Sequence, residues 1–253
     1  MKLPLTVVEA VKWLYRGHAV QLVCAASPWP AAVADDDPKA AHFKRRSFAA
    51  TSGSMPARVM VMLVANIVGP CPNLLTDLRC GIYEDRPLVC RIYPAEINPF
   101  IPLEPMKKAC PPEAWEANLP VLQRYGAIMH DATLQDIQRS RDADTFDADV
   151  KRRLCVALNV FDAAPVHEAV LVYSPSAAML LSALAFAIAT ESGSQAPAHW
   201  RFVSNRSGTV ESLAAHGGVA VHLGGEMTTP YQYVSRERRA LFGPYPGDLL
   251  VEE

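Results

Sequence analysis

Three cysteines crowd into "CPNLLTDLRCGIYEDRPLVCRIYP", residues 71–94, and a fourth follows at 110, in a chain that has six altogether. Cys71, Cys80, Cys90 and Cys110 are separated by eight, nine and nineteen residues. Thiolates are soft donors, so this set disfavours Mg²⁺ and Ca²⁺ and suits zinc or iron–sulfur chemistry. Four of them suffice for a tetrahedral zinc site or for a [4Fe-4S] cluster. The paired CxxC knuckle usual in zinc ribbons is missing. Long, irregular spacings in a proline-rich coil favour the cluster, whose sulfides fill a larger volume, over zinc. Either centre carries a net charge of about −2. Arg79, Arg86 and Arg91 stand in the same stretch and can offset it, while Gly81 can let a backbone amide approach a ligand sulfur. The competing reading is four buried free thiols, since cysteine behaves as a small hydrophobe.

The remaining candidates are weaker. Cys24 closes a predicted strand, "AVQLVC", and is a rival for the fourth ligand position. Cys155 lies beside Leu154 and Leu158 on a predicted apolar stripe and reads as core. The histidines, at 18, 42, 130, 167, 199, 216 and 222, show no HxxH or HExxH spacing. His18 lies nearest Cys24 in sequence and reads as a surface or capping residue before it reads as a ligand. Nucleotide-type loops are also missing. Ser174-Pro-Ser176 stands where a glycine-rich turn would follow the strand "AVLVYS". His216-Gly217-Gly218 and Gly224-Gly225-Glu226 read as ordinary turns at element ends.

Together, "CPNLL", "CGIYEDRPLVCRIYP" and "KKACPPEAW" resemble the second half of the YkgJ-type CxxCxxxCC cysteine-cluster family of zinc- or iron-chelating domains. The flagellin lysine N-methylases are related to that family. Its signature is similar to a Cys-Pro followed by C-x-I-Y-E-x-R-P-x-x-C-R-x-Y-P and a later Cys-Pro. Cys71, Cys80, Cys90 and Cys110 fall at its cysteines, and Ile82, Tyr83, Glu84, Arg86, Pro87, Arg91, Tyr93 and Pro94 match as well. The resemblance implies metal binding by these four cysteines. The family's upstream CxxCxxxCC block is absent, since only Cys24 precedes Cys71. The chain has therefore lost a second site or works with the remaining four.

Several elements are needed to position such a site. Thr6-Val-Val-Glu9 reads as a capping box opening a helix through Val7, Val8, Val11, Leu14 and Tyr15, with Gly17 as its stop. Residues 25–56 read as a long loop holding at most one short strand, and "ARVMVMLVANIV" (57–68) as a strand. Eight prolines between Cys71 and Pro112 rule out long backbone ladders there. Residues 119–138 carry helical spacing, split near Gly126, and residues 146–160 put Phe146, Val150, Leu154 and Leu158 on one stripe. Beyond Pro165, strands 169–174, 200–205 and 219–223 alternate with helices 176–190 and 209–216, predicting a βαβαβ unit with parallel strands. A short helix is expected near Ser235–Leu241. The expected class is α+β: an irregular proline-rich cysteine-cluster domain (1–115), a helical segment (116–164) and a small α/β domain (165–253).

The totals narrow the role. Half the residues are hydrophobic and a fifth charged, with a net charge of −2, which gives nucleic acid no basic stripe to bind. The only basic run, Lys44-Arg45-Arg46, follows Asp35-Asp36-Asp37 and reads as solvated surface. Glu9, Lys12 and Arg16 interrupt any signal core. The longest apolar run, Ala177–Ala189, is too short for a membrane span. The expectation is a cytoplasmic protein with reduced thiols and a protein or small-molecule partner. Two rival roles remain, a modifying enzyme of the lysine N-methylase type and a zinc-stapled adaptor.

Overall fold

The computed structural model describes residues 2–29, 37–116, 118–191, 199–224 and 229–235. β1 (Lys2–Leu5) leads into α1 (Val7–Tyr15), whose capping box forms as its residue types require. The Thr6 hydroxyl accepts from Glu9 N–H at 3.2 Å, and the Glu9 carboxylate accepts from Thr6 N–H at 2.9 Å. The helix buries Val7, Ala10, Trp13 and Leu14. Next come β2 (Val20–Pro28), α2 (Pro38–Arg45), β3 (Ser47–Ser52) and β4 (Met55–Asn66). The stretch expected to be a long loop thus holds a helix and a hairpin strand. Pro38 at the helix start and the Asp37 side chain, accepting from Lys39 N–H at 2.8 Å, begin α2 without any apolar periodicity to announce it.

α3 (Leu88–Ile92) is followed by β5 (Gln123–Arg124) and β6 (Ala127–Ile128), then by α4 (Asp131–Ala157). The helix expected over 119–138 begins only at Asp131. Tyr125 and Gly126 both take positive φ, 48° and 82°, the pair of left-handed residues that closes a tight hairpin. On α4 the buried side is Asp147, Ala148, Lys151, Leu154 and Cys155, while Phe146 is 77% exposed. The expected stripe is therefore rotated, with ionic groups taking positions an apolar count passes over. Asp147 earns its burial by accepting from Val7 N–H at 2.7 Å.

The chain ends its described course in β7 (Asp162–Pro165), β8 (Ala169–Tyr173), α5 (Ala177–Ala189), β9 (Arg201–Ser204), α6 (Ser207–Ala215), β10 (Ala220–His222) and β11 (Tyr231–Ser235). The helix expected near Ser235–Leu241 lies, past Ser235, outside the described residues. One nine-stranded sheet runs β1-β4-β2-β7-β9-β10, with β3 on the rest of β4, β8 on β2, and β11 on β8. Only part of the expected βαβαβ unit forms. β9 and β10 are parallel across α6, and the parallel neighbour of β9 is β7. β8 instead runs antiparallel to β2, with Leu22 opposite Tyr173. An apolar run announces a strand and is silent about its direction, and "DAAP" lacks the β-branched residues that mark one.

Helices and strands are mixed in an α+β class. Residues 1–69 and 144–253 form one compact unit and residues 70–143 another. The strands expected in separate N- and C-terminal domains share the sheet of the larger unit, because β2 pairs with both β7 and β8. The smaller unit has its own core of Ile92, Ala95 and Ile137, flanked by Leu88, Ile97, Leu122 and Ile128. Among the described residues no helix is long and apolar enough to cross a membrane.

Candidate metal centre

All four clustered cysteines lie in the smaller unit, half-exposed and free of disulfides. Cys71 and Cys80 flank a short hairpin-like loop. Leu74 N–H bonds to Cys71 C=O at 3.0 Å, and Leu74 in turn bridges antiparallel to Cys80. Leu75 N–H to Arg79 C=O at 2.8 Å and Gly81 N–H to Asn73 C=O at 2.7 Å complete the loop. This last bond explains the glycine: a Cβ at 81 would lie 3.0 Å from Leu75 Cδ2 and 3.2 Å from Asn73 O. The Gly81 amide, expected to approach a sulfur, donates to Asn73. Arg79 turns to Asp77, Nε to Oδ2 at 2.7 Å, and that bond holds the exposed Asp77 carboxyl below its usual range.

Cys90 sits in the single turn of α3, where Pro87 sets the entry and Cys90 N–H bonds to Pro87 C=O at 2.9 Å. Ile92, 1% exposed, anchors this turn in the small core. Arg91 braces the turn before it: Nε donates to Arg86 C=O at 3.1 Å and Nη2 to Glu84 C=O. Its guanidinium thus serves the local chain, and it does so through the Glu84 main chain. Arg86 is different. Its guanidinium lies over the Tyr83 ring, 4.1 Å from the centroid.

Cys110 is tied to Tyr93 through a clasp. Tyr93, three residues past Cys90, accepts Ala109 N–H on its hydroxyl at 2.6 Å and adjoins the Cys110 thiol. Burial, with that thiol adding to it, pushes the Tyr93 phenol up from its ordinary pKa. Lys108 pairs with Glu96, and its ammonium lies 5.7 Å from the Tyr93 ring centroid. Lys108 is 11% exposed at its side chain, so this ion pair is sheltered from solvent. The sequence alone gives Glu96 and Lys108 no role. Only Tyr93 carried a signal, as a matched motif position.

The structure so places Cys71 and Cys80 at the two ends of one hairpin-like loop and Cys110 beside Tyr93, three residues past Cys90. Among the described residues no three His, Cys, Asp or Glu side chains are grouped closely enough to hold a metal ion. The donor set still fits a soft metal in its chemistry: four free thiols, no competing hard donor required, on proline-rich loops with few ladder bonds to break.

The other candidates stand apart from this set. Cys24 is fully buried in β2 of the larger unit, its thiol beside Cys155. Burial and that neighbour raise its pKa well above an ordinary thiol's, which leaves it a neutral core residue. Cys155 is fully buried as well. His18 packs against Trp13 at 5.1 Å between ring centroids. Gly217 and Gly218 cap α6, donating to Ala214 and Leu213 carbonyls at 3.0 and 2.9 Å.

Residues 30–113 match the model of a family, CxxCxxCC, described as "Putative zinc- or iron-chelating domain". That is the family the cysteine motif resembles. The match covers about a third of the chain and takes in Cys71, Cys80, Cys90 and Cys110 while leaving out Cys24. No curated protein and no solved structure matches the chain significantly.

Proposed function

We propose that the smaller unit is a metal-binding module in which Cys71, Cys80, Cys90 and Cys110 hold one centre, a [4Fe-4S] cluster in preference to zinc. The observation that carries this reading is the clasp of Tyr93 and Lys108, which holds Cys110 against Tyr93, three residues past Cys90. The family match supports the metal, and its description covers zinc and iron alike. Long spacings without a CxxC knuckle support the cluster. Arg86 and Arg91 act beside it, Arg86 by charge and Arg91 by bracing the Cys90 turn. Gly81 acts by allowing the close hairpin that positions Cys80. Six free cysteines support a reducing compartment such as the cytoplasm. The larger unit, by this reading, serves a protein or small-molecule partner.

The test is anaerobic purification followed by iron, zinc and acid-labile sulfide analysis with a visible spectrum. Four irons and four sulfides per chain in a brown protein are the expected result. Stoichiometric zinc in a colourless protein would keep the four-thiolate module and overturn the cluster. A metal-free protein after reconstitution would overturn both.

A further inference from the structure

A cavity of about 520 Å³ opens beside Cys80, lined by Leu75, Arg79, Cys80, Gly81, Tyr83 and Arg86. It falls in the range of small-molecule sites, roughly 300–1,000 Å³. Two guanidiniums line it, and no carboxylate does. Arg79 is oriented by Asp77 at 2.5 Å, yet its side chain stays 81% exposed. Arg86 makes no ion pair with a described residue, and its guanidinium rests on the Tyr83 ring. Stacking on an aromatic face holds the guanidinium flat and leaves its edge N–H groups pointing outward.

An edge of this kind matches a planar carboxylate through two parallel hydrogen bonds. Phosphate pairs with the same fork, so the rest of the wall decides which anion fits. Amides of this wall are partly committed already. Gly81 N–H is given to Asn73 and Arg79 N–H to Asp77 Oδ1 at 3.1 Å. Leu75 and the Tyr83 ring offer an apolar surface for the body of the ligand. We propose that this cavity binds a small carboxylic acid with an apolar or aromatic body, its carboxylate on Arg86 with Arg79 as the second cation. The site shares Cys80 with the metal centre, but the binding rests on the arginines.

Benzoate is the probe, titrated calorimetrically into the full-length protein at low ionic strength, with inorganic phosphate as the comparison. Saturable one-to-one benzoate binding is expected, tighter than phosphate and weakened about tenfold or more by Arg86→Gln. Arg79→Gln should weaken it less. Absence of saturable benzoate binding, unchanged affinity in Arg86→Gln, or tighter binding of phosphate would each overturn the assignment. Metal analysis of the same samples separates the two readings. Benzoate bound to a protein that takes up no metal upholds the cavity and sinks the metal centre, whereas full metal without benzoate uptake does the reverse.

Discussion

Cys110 and Cys24 answer differently to the same chemistry. Cys110 is half-exposed on a loop clasped to Tyr93, where a metal can reach its sulfur. Cys24 is wholly buried among strands, where ionisation is opposed by burial and by Cys155. Cys110→Ser is therefore expected to lose most of the metal, and Cys24→Ser little of it while lowering stability by about 1 kcal/mol through its core position. Metal analysis with a thermal melt on each variant checks both. The reverse pattern of metal loss would replace the ligand assignment. At this scale the cysteine motif was plain in the sequence, because thiols are rare and their spacing is carried by the chain. The Lys108–Glu96 pair was not, because a contact across twelve residues leaves no periodic mark.

Elements were legible where their signals are local. The capping box of α1 needs only Thr6 and Glu9, and both bonds form. The direction of β8 needed a partner strand far along the chain, so its antiparallel pairing with β2 could not be read from "AVLVY". That pairing has a testable consequence at Tyr173, the last residue of β8. Its hydroxyl donates to Asp162 C=O of β7 at 3.0 Å. Burial first, then the charge of Asp162, drives its pKa far above the ordinary 10.0. The folded state thus keeps the proton when the unfolded chain gives it up. The stabilisation is fully present below about pH 10 and is lost as pH rises above it. Tyr173→Phe should cost about 1 kcal/mol at neutral pH. The gap to the parent protein should shrink and then reverse as the pH is taken to about 11. Urea unfolding followed by the fluorescence of buried Trp13 and Trp200 reads this, and a gap independent of pH would contradict it.

At the scale of the whole molecule, the two units are held by different means. The larger rests on a nine-stranded sheet and an extensive apolar core. The smaller has one two-stranded hairpin with two residues in each strand, a five-residue helix, the first thirteen residues of α4, three short 3-10 turns, and a core of three buried residues with four more packed against it. Loops between Cys71 and Cys110 are long, and closing them costs chain entropy that so thin a core hardly offsets. Metal ligation joining the four cysteines would supply the missing closure. Arg79, Arg91, Lys107 and Lys108 place trypsin sites in this stretch, while Pro87 shields Arg86. Cleavage follows the population of the open form when opening is fast, so a metal worth only about 1.4 kcal/mol to the closed form slows it about tenfold. Stripping the metal with a chelator should accelerate cleavage within residues 71–112 by at least that factor and spare the buried strands of the larger unit. Mass spectrometry of timed digests locates the cuts. Equal rates with and without metal would show that the proline-rich loops hold their form unaided, and the cysteines would then read as ordinary half-buried thiols.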